Sequence, residues 1–150
     1  MTIMLDEKDN KILKELRKNS RQTTKKISEK TKIPRVTVHE RIQKMIESGI
    51  IKSFTAVPDY KQIGQPFKSY IFLSLEKVPN VSQRQVALKI ARLPEVLEVD
   101  VISGEYDILI KVRDKSLDEI SKLVFDKLRI IKGVGGTLTM PCFETFKEGP

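Results

Sequence analysis

Arg35, Val36, Thr37, His39 and Glu40 fall within six consecutive residues, and their side chains can read a base pair. An arginine guanidinium donates in a fork to guanine or to phosphate, threonine offers a hydroxyl and a methyl group, and a glutamate carboxylate accepts from the cytosine amino group. Arg41 and Lys44 follow closely, and Thr23, Thr24, Lys25 and Lys26 stand just upstream. Lysine and arginine neutralise phosphate, and a threonine at a helix start presents a hydroxyl or a backbone N–H to it. We take Lys25, Lys26, Arg41 and Lys44 as phosphate contacts, and Arg35, Thr37, His39 and Glu40 as base-edge contacts. Two of these have a second reading: His39 as a surface residue at the margin of the buried face, and Arg41 as a brace within its own domain.

Such side chains work only on an element that fits a groove. Between Gln22 and Gly49 the sequence predicts two short helices joined tightly near Thr31 to Pro34. In the second, Val38, Ile42, Met45 and Ile46 recur at the spacing of one helical face, while Val36, Thr37, Glu40, Gln43 and Lys44 point away from it. The first begins at Thr23, a hydroxyl cap, and supplies Ile27, with Ile33 in the connection. A third helix over Asp6 to Lys18 brings Ile12, Leu13 and Leu16 inward under an Asp6 cap. The unit is a helix-turn-helix, whose second helix enters the major groove of DNA.

The charge distribution agrees with that reading. Net charge is +8, and residues 1–60 carry 14 Lys+Arg against 8 Asp+Glu, leaving only +2 for residues 61–150. An excess of cations on the helical segment is the footprint of a phosphate-binding surface. Cys142 is the one cysteine, which excludes an intrachain disulfide or a thiolate cluster and predicts a reducing, cytoplasmic setting. No run approaches the roughly 20 apolar residues of a membrane span, so neither a membrane partner nor a signal peptide is expected. Paired carboxylates, a metal-ligand cluster, a phosphate-binding glycine loop and a nucleophile elbow are all missing. The chain is therefore expected to be no enzyme, with no cofactor and no metal.

Beyond Gly49, Ile50 to Val57 is rich in branched and aromatic residues and predicts a strand. Pro58, Gly64 and Pro66 then interrupt regular structure. From Phe67 the period changes. Ile71, Leu73 and Leu75 alternate with Tyr70, Phe72 and Ser74, a strand apolar on both faces. Ser82 to Leu93 predicts a helix, Val96 to Ser103 and Ile108 to Val112 a hairpin, and Ser116 to Ile131 a second helix with Leu117, Ile120, Leu123, Val124, Leu128 and Ile131 inward. Gly133, Gly135 and Gly136 are read as ending that helix, and Thr137 to Lys147 as a final strand in which Pro141 marks an edge or bulge. The order is that of a ferredoxin-like βαββαβ sandwich. The fold class is thus α+β, with a helix-turn-helix domain over residues 1–50, a linker strand and hinge over 51–66, and the sandwich over 67–150. Its helices cover one face, leaving Tyr70 and Phe72 for a second copy, so a homodimer through the sheets is expected.

Four fragments carry a resemblance to a known family. Leu5 to Leu13 (LDEKDNKIL), Thr37 to Val57 (TVHERIQKMIESGIIKSFTAV), Gly104 to Asp107 (GEYD) and Gly133 to Met140 (GVGGTLTM) together resemble the Lrp/AsnC, or feast/famine, transcriptional regulators. The likeness runs nearly end to end. It implies a sequence-specific DNA-binding regulator whose dimers assemble further, often to octamers, and in many members bind an amino acid between dimers. In similar proteins a serine and a proline usually stand where Pro34 and Arg35 are here. The capping hydroxyl is missing, at a cost of about 1 kcal/mol, which Pro34 as first helical residue would partly offset.

A free amino acid needs an acid or carbonyls for its ammonium, and N–H groups or hydroxyls for its carboxylate. Ser103 to Asp107 and Gly133 to Thr139 hold both kinds. The resemblance places these regions near the effector pocket, which makes Gly104, Tyr106, Asp107, Thr137 and Thr139 the effector-binding candidates. Two other functions are weighed. One is an architectural protein coating DNA with little sequence preference. The other is a tetrapyrrole decarboxylase of similar architecture, against which stands the absence of any histidine but His39.

Overall fold

The computed structural model describes residues 4–148, so residues 1–3 and 149–150 of the expected domains lie outside it. The chain divides into two compact units, one reaching to Val57 and the other running Pro58–Glu148.

The first unit is three helices, α1 (Glu7–Lys18), α2 (Thr24–Thr31) and α3 (Arg35–Glu47). Asp6 starts α1 through a reciprocal cap, its carboxylate accepting from the Asp9 N–H at 2.8 Å while the Asp9 carboxylate accepts from the Asp6 N–H at 3.2 Å. Thr23 Oγ1 accepts from the Lys26 N–H at the start of α2. That helix ends at Lys32, whose φ of 60° turns the chain towards α3. Its eight residues are too few to persist alone, and burial holds them: Ile12, Leu16, Ile27, Ile33, Val38 and Met45 form one core, with Leu13 and Ile42 packed against it. Ile46, expected on the inner face, is 38% exposed. Pro34 sits at the N-cap of α3 rather than inside its first turn, and no side chain caps that helix.

Ile50–Val57 does not form the expected strand. It pairs with no other segment among the described residues, and Phe54 and Val57 are exposed. Branched residues fit a pleated surface, but a strand needs a neighbour to satisfy its backbone.

The second unit is a four-stranded antiparallel sheet, β1 (Phe67–Leu75), β2 (Val96–Val101), β3 (Ile108–Asp114) and β4 (Val134–Pro141), ordered β2-β3-β1-β4. Helix α4 (Gln83–Ile90) follows β1, and α5 (Leu117–Lys122) follows β3. Helix α5 continues over Leu123–Leu128 in wider π winding, with the Arg129 N–H donating to the Val124 carbonyl at 3.0 Å. The core lies between sheet and helices, built on Ile71, Leu73, Ile108, Ile110 and Val112 against Val86, Ile90, Ile120, Leu123 and Leu128. Burying each such side chain is worth about 1.5–3 kcal/mol. Leu117, expected inward, is 44% exposed. Helix α4 stops at Ile90, short of the expected Leu93. The last helical stretch ends at Leu128 with Arg129 as its C-cap, ahead of all three glycines expected to end it, and the first of them, Gly133, lies in the turn before β4. Its φ is +100°, and a Cβ there would come within 2.9 Å of Val81 Cγ1. Gly135 and Gly136 are already part of β4, which begins earlier and ends at Pro141.

Across the sheet from the helices, Tyr70 and Phe72 are half-buried, and their partners on β4, Met140 and Leu138, are 51% and 41% exposed. No helix among the described residues is long and apolar enough to cross a membrane.

Candidate nucleic-acid interface and effector region

Helix α3 buries Val38 and Met45 and leaves Arg35, Val36, His39, Glu40, Gln43 and Lys44 exposed. Thr37 and Arg41 lie half-buried between these faces. From α2, Thr23 and Lys25 are exposed and Thr24 is half-buried. Arg35 Nε donates to Thr24 Oγ1 at 3.2 Å, so the helix starts carrying the first residues of each group are held together. Among the described residues, no ion pair involves Lys25, Lys26, Arg35 or Lys44. Their charges remain available to an outside anion.

Arg41 is placed differently. Its Nη1 donates to Asp6 Oδ2 at 2.6 Å and Asp9 Oδ1 at 2.8 Å, bracing α3 against the start of α1. The carboxylates of Asp9 and Asp6 push the guanidinium pKa up further. The Asp6 carboxyl is held below its ordinary range by the Asp9 N–H and by Arg41. Thr37, Glu40 and Lys44 share a groove of about 680 Å³ with Leu5, Asp6 and Asp9. Arg41, which pairs with both of these carboxylates, lines the groove as well.

A second brace was not anticipated from the sequence. Lys30 Nζ donates to Glu15 Oε2 at 3.0 Å and to Gln22 Oε1 at 2.6 Å, and Lys18 donates to Glu15 Oε1 at 2.7 Å. These hydrogen bonds hold the Glu15 carboxyl down to about 2. The i,i+3 spacing of Glu15 and Lys18 was visible in the sequence, but the approach of Lys30 depends on how α2 packs.

Of the effector candidates, the structure sets Asp107 and Thr137 on either side of β1. The Asp107 N–H donates to the Leu73 carbonyl at 2.8 Å, and Leu73 pairs with Thr137. Their polar atoms are engaged within the chain. Asp107 Oδ2 accepts from the Leu75 N–H at 2.7 Å, and Thr137 Oγ1 accepts from Arg129 Nε and Nη2 at 3.1 and 3.0 Å. Tyr106 packs on Phe72 with ring centroids 5.3 Å apart. Thr139 pairs with Ile71, one step along β4 on the same face as Thr137. Gly104, at φ +134°, has open space where a Cβ would be.

Residues 5–52 match the winged helix-turn-helix DNA-binding family and residues 68–150 the Lrp/AsnC ligand binding domain. The chain is 44% identical over 148 residues to an uncharacterised HTH-type transcriptional regulator of Pyrococcus abyssi, covering 99% of each. Escherichia coli AsnC is similar in structure, with TM-score 0.86 and 25% identity over 98% of this chain and 97% of that one. A Neisseria meningitidis transcriptional regulator in complex with L-Met shares the fold, with TM-score 0.90 and 24% identity over 97% and 94%. A helix-turn-helix unit followed by a four-stranded sandwich, with both family matches in that order, establishes that this chain belongs to the Lrp/AsnC family of HTH-type transcriptional regulators.

Proposed function

We propose that the protein reads operator DNA through the outer face of α3 and the first turn of α2, and that an amino acid modulates this binding. The observation that carries the reading is Arg35. It stands on the first turn of α3, exposed and tied to Thr24, with no carboxylate partner among the described residues. Val36 beside it is 69% exposed and suits a thymine methyl, while Glu40 suits a cytosine amino group. Lys25 and Lys44 neutralise backbone phosphates, and Thr23 and Thr24 offer hydroxyls and amides to them. Arg41 serves as a brace, and His39 takes a flanking position on the same face.

The domain divisions expected from the sequence, 1–50, 51–66 and 67–150, set this DNA-binding role apart from assembly and effector response. The apolar strip of Tyr70, Phe72, Leu138 and Met140 supports pairing of two copies through their sheets, and dimers of this kind assemble further. Paired recognition helices then meet half-sites about 34 Å apart, or a multiple of that. The effector acts near Gly104, Tyr106, Asp107, Thr137 and Thr139, a reading supported by the L-Met complex of the similar Neisseria protein. The protein works in the cytoplasm and has no catalytic role.

Footprinting on the promoter of its own gene and on a random fragment tests the DNA reading. Protection confined to the promoter is expected, and equal protection of both would favour an architectural coating protein. Calorimetry with a panel of common amino acids tests the effector, and no heat from any at millimolar concentration would remove it.

A further inference from the structure

At one end of the sheet face opposite the helices, three cations close on a single carboxylate. Lys68 on β1 pairs with Arg113 on β3, and Lys111 lies two residues before Arg113 on the same strand face. Lys68 and Arg113 are 5% and 8% exposed, rare burial for charged groups. The carboxylate is Glu148, from the segment after β4. Its Oε2 accepts from Arg113 Nη2 at 2.7 Å, and its Oε1 lies 3.2 Å from Lys111 Nζ and 3.8 Å from Lys68 Nζ. The last separation is too long for a hydrogen bond. Arg113 Nε is buried without a partner, while the guanidinium stacks on the Tyr60 ring at 4.2 Å.

Lys68, Arg113 and Glu148 line a concavity of about 420 Å³, together with Tyr60, Pro66 and Phe143. Asp59 and Glu144 line it as well. Asp59 Oδ1 is committed to the Lys61 and Gln62 N–H groups at 3.0 and 3.3 Å. Glu98 pairs in register with Lys111 across β2 and β3 without forming an ion pair among the described residues. Buried charge is costly unless it is matched. Here one carboxylate faces three cations, and it uses only one of the two donors on the Nε–Nη2 edge of Arg113.

We propose that Lys68, Lys111 and Arg113 form a binding site for a phosphate dianion, in which Glu148 is a tethered stand-in. A phosphate brings nearly two negative charges and at least three acceptor oxygens, enough to take both donors of the guanidinium edge and both ammonium groups. A free carboxylate brings no more charge than Glu148 already does. Phosphate entry displaces Glu148 and releases the segment after β4 from the sheet. The tethered carboxylate competes from a high local concentration, so the wild-type affinity is lowered by the fraction of time the site is open.

The test is calorimetric titration of inorganic phosphate into the full chain at fixed ionic strength in a phosphate-free buffer. Glu148→Gln, which alters the occupant and leaves the three cations in place, is expected to tighten phosphate binding by about tenfold or more. Adding Lys111→Gln to that variant should weaken binding again, with circular dichroism melts confirming that both variants fold. Acetate at the same ionic strength should give no heat. Methyl phosphate binding as tightly as inorganic phosphate would point to a phosphomonoester, and weaker binding to the free ion. Phosphate binding that Glu148→Gln does not strengthen would overturn the proposal. So would binding indifferent to Lys111→Gln, or acetate binding equal to that of phosphate.

Discussion

Arg35 Nε donates to Thr24 Oγ1 at 3.2 Å, so the first residue of α3 is tied to the first residue of α2. Two side chains selected for their chemistry thus share one position in space, and the tie orients the guanidinium before any duplex arrives. Arg35→Ala should cost about 1–3 kcal/mol on the preferred operator and relax discrimination at one base pair. As an exposed position, it should change the unfolding free energy by no more than about 0.5 kcal/mol. Affinities for the operator and its single-base variants check this. Unchanged discrimination would remove Arg35 from base readout.

Lys44 contributes charge without an ion-pair partner among the described residues. Lys44→Ala should weaken binding to all duplexes alike and lower the slope of log affinity against log salt by about one unit. Arg41→Ala serves as the contrast, since it removes the brace to Asp6 and Asp9. It should lower the melting temperature while leaving the salt slope of the folded protein nearly intact. A slope changed by Arg41→Ala and untouched by Lys44→Ala would reverse the two assignments.

Acid should loosen the first unit through Glu15. Lys18 and Lys30 hold its carboxyl at about 2, against an ordinary value of 4.5. Because the folded value is the lower one, the stabilisation is complete above the ordinary value. It fades as pH falls from there towards about 2, and is gone below. Melting curves of wild type and Glu15→Gln should differ near neutral pH and converge in acid. Parallel curves across that window would show that the ion pairs contribute nothing.

Asp107 is expected to matter first for the sheet. Its carboxylate accepts the Leu75 N–H where the register of β1 against β4 shifts. Asp107→Ala leaves that donor unpaired and should cost about 1–3 kcal/mol in urea unfolding. An unaltered urea midpoint combined with lost response to an amino acid would instead mark the side chain as a ligand contact.

Much of the fold was legible because periodicity reports directly on which face is buried. Ile12, Leu16, Val38 and Met45 keep helical spacing, and Ile71, Leu73, Ile108 and Ile110 keep strand spacing. Local chemistry also showed in the caps at Asp6 and Thr23. The Ile50–Val57 strand was misread because composition records a preference for pleated structure and says nothing about whether a pairing edge is present. Leu117 was misplaced because helical spacing reports a common face and not whether a packing partner lies against every residue on it.

The sequence by itself determined the order of elements, the two-unit plan and the concentration of positive charge on the first 60 residues, since each depends on neighbours along the chain. Only the tertiary structure decided which cations stay available. Arg41 and Lys30 are bound to carboxylates from other helices, Arg35 and Lys44 are not, and Lys68, Lys111 and Arg113 meet across two strands at Glu148. A charge acts over a few ångströms of space, and separation along the chain does not fix that distance.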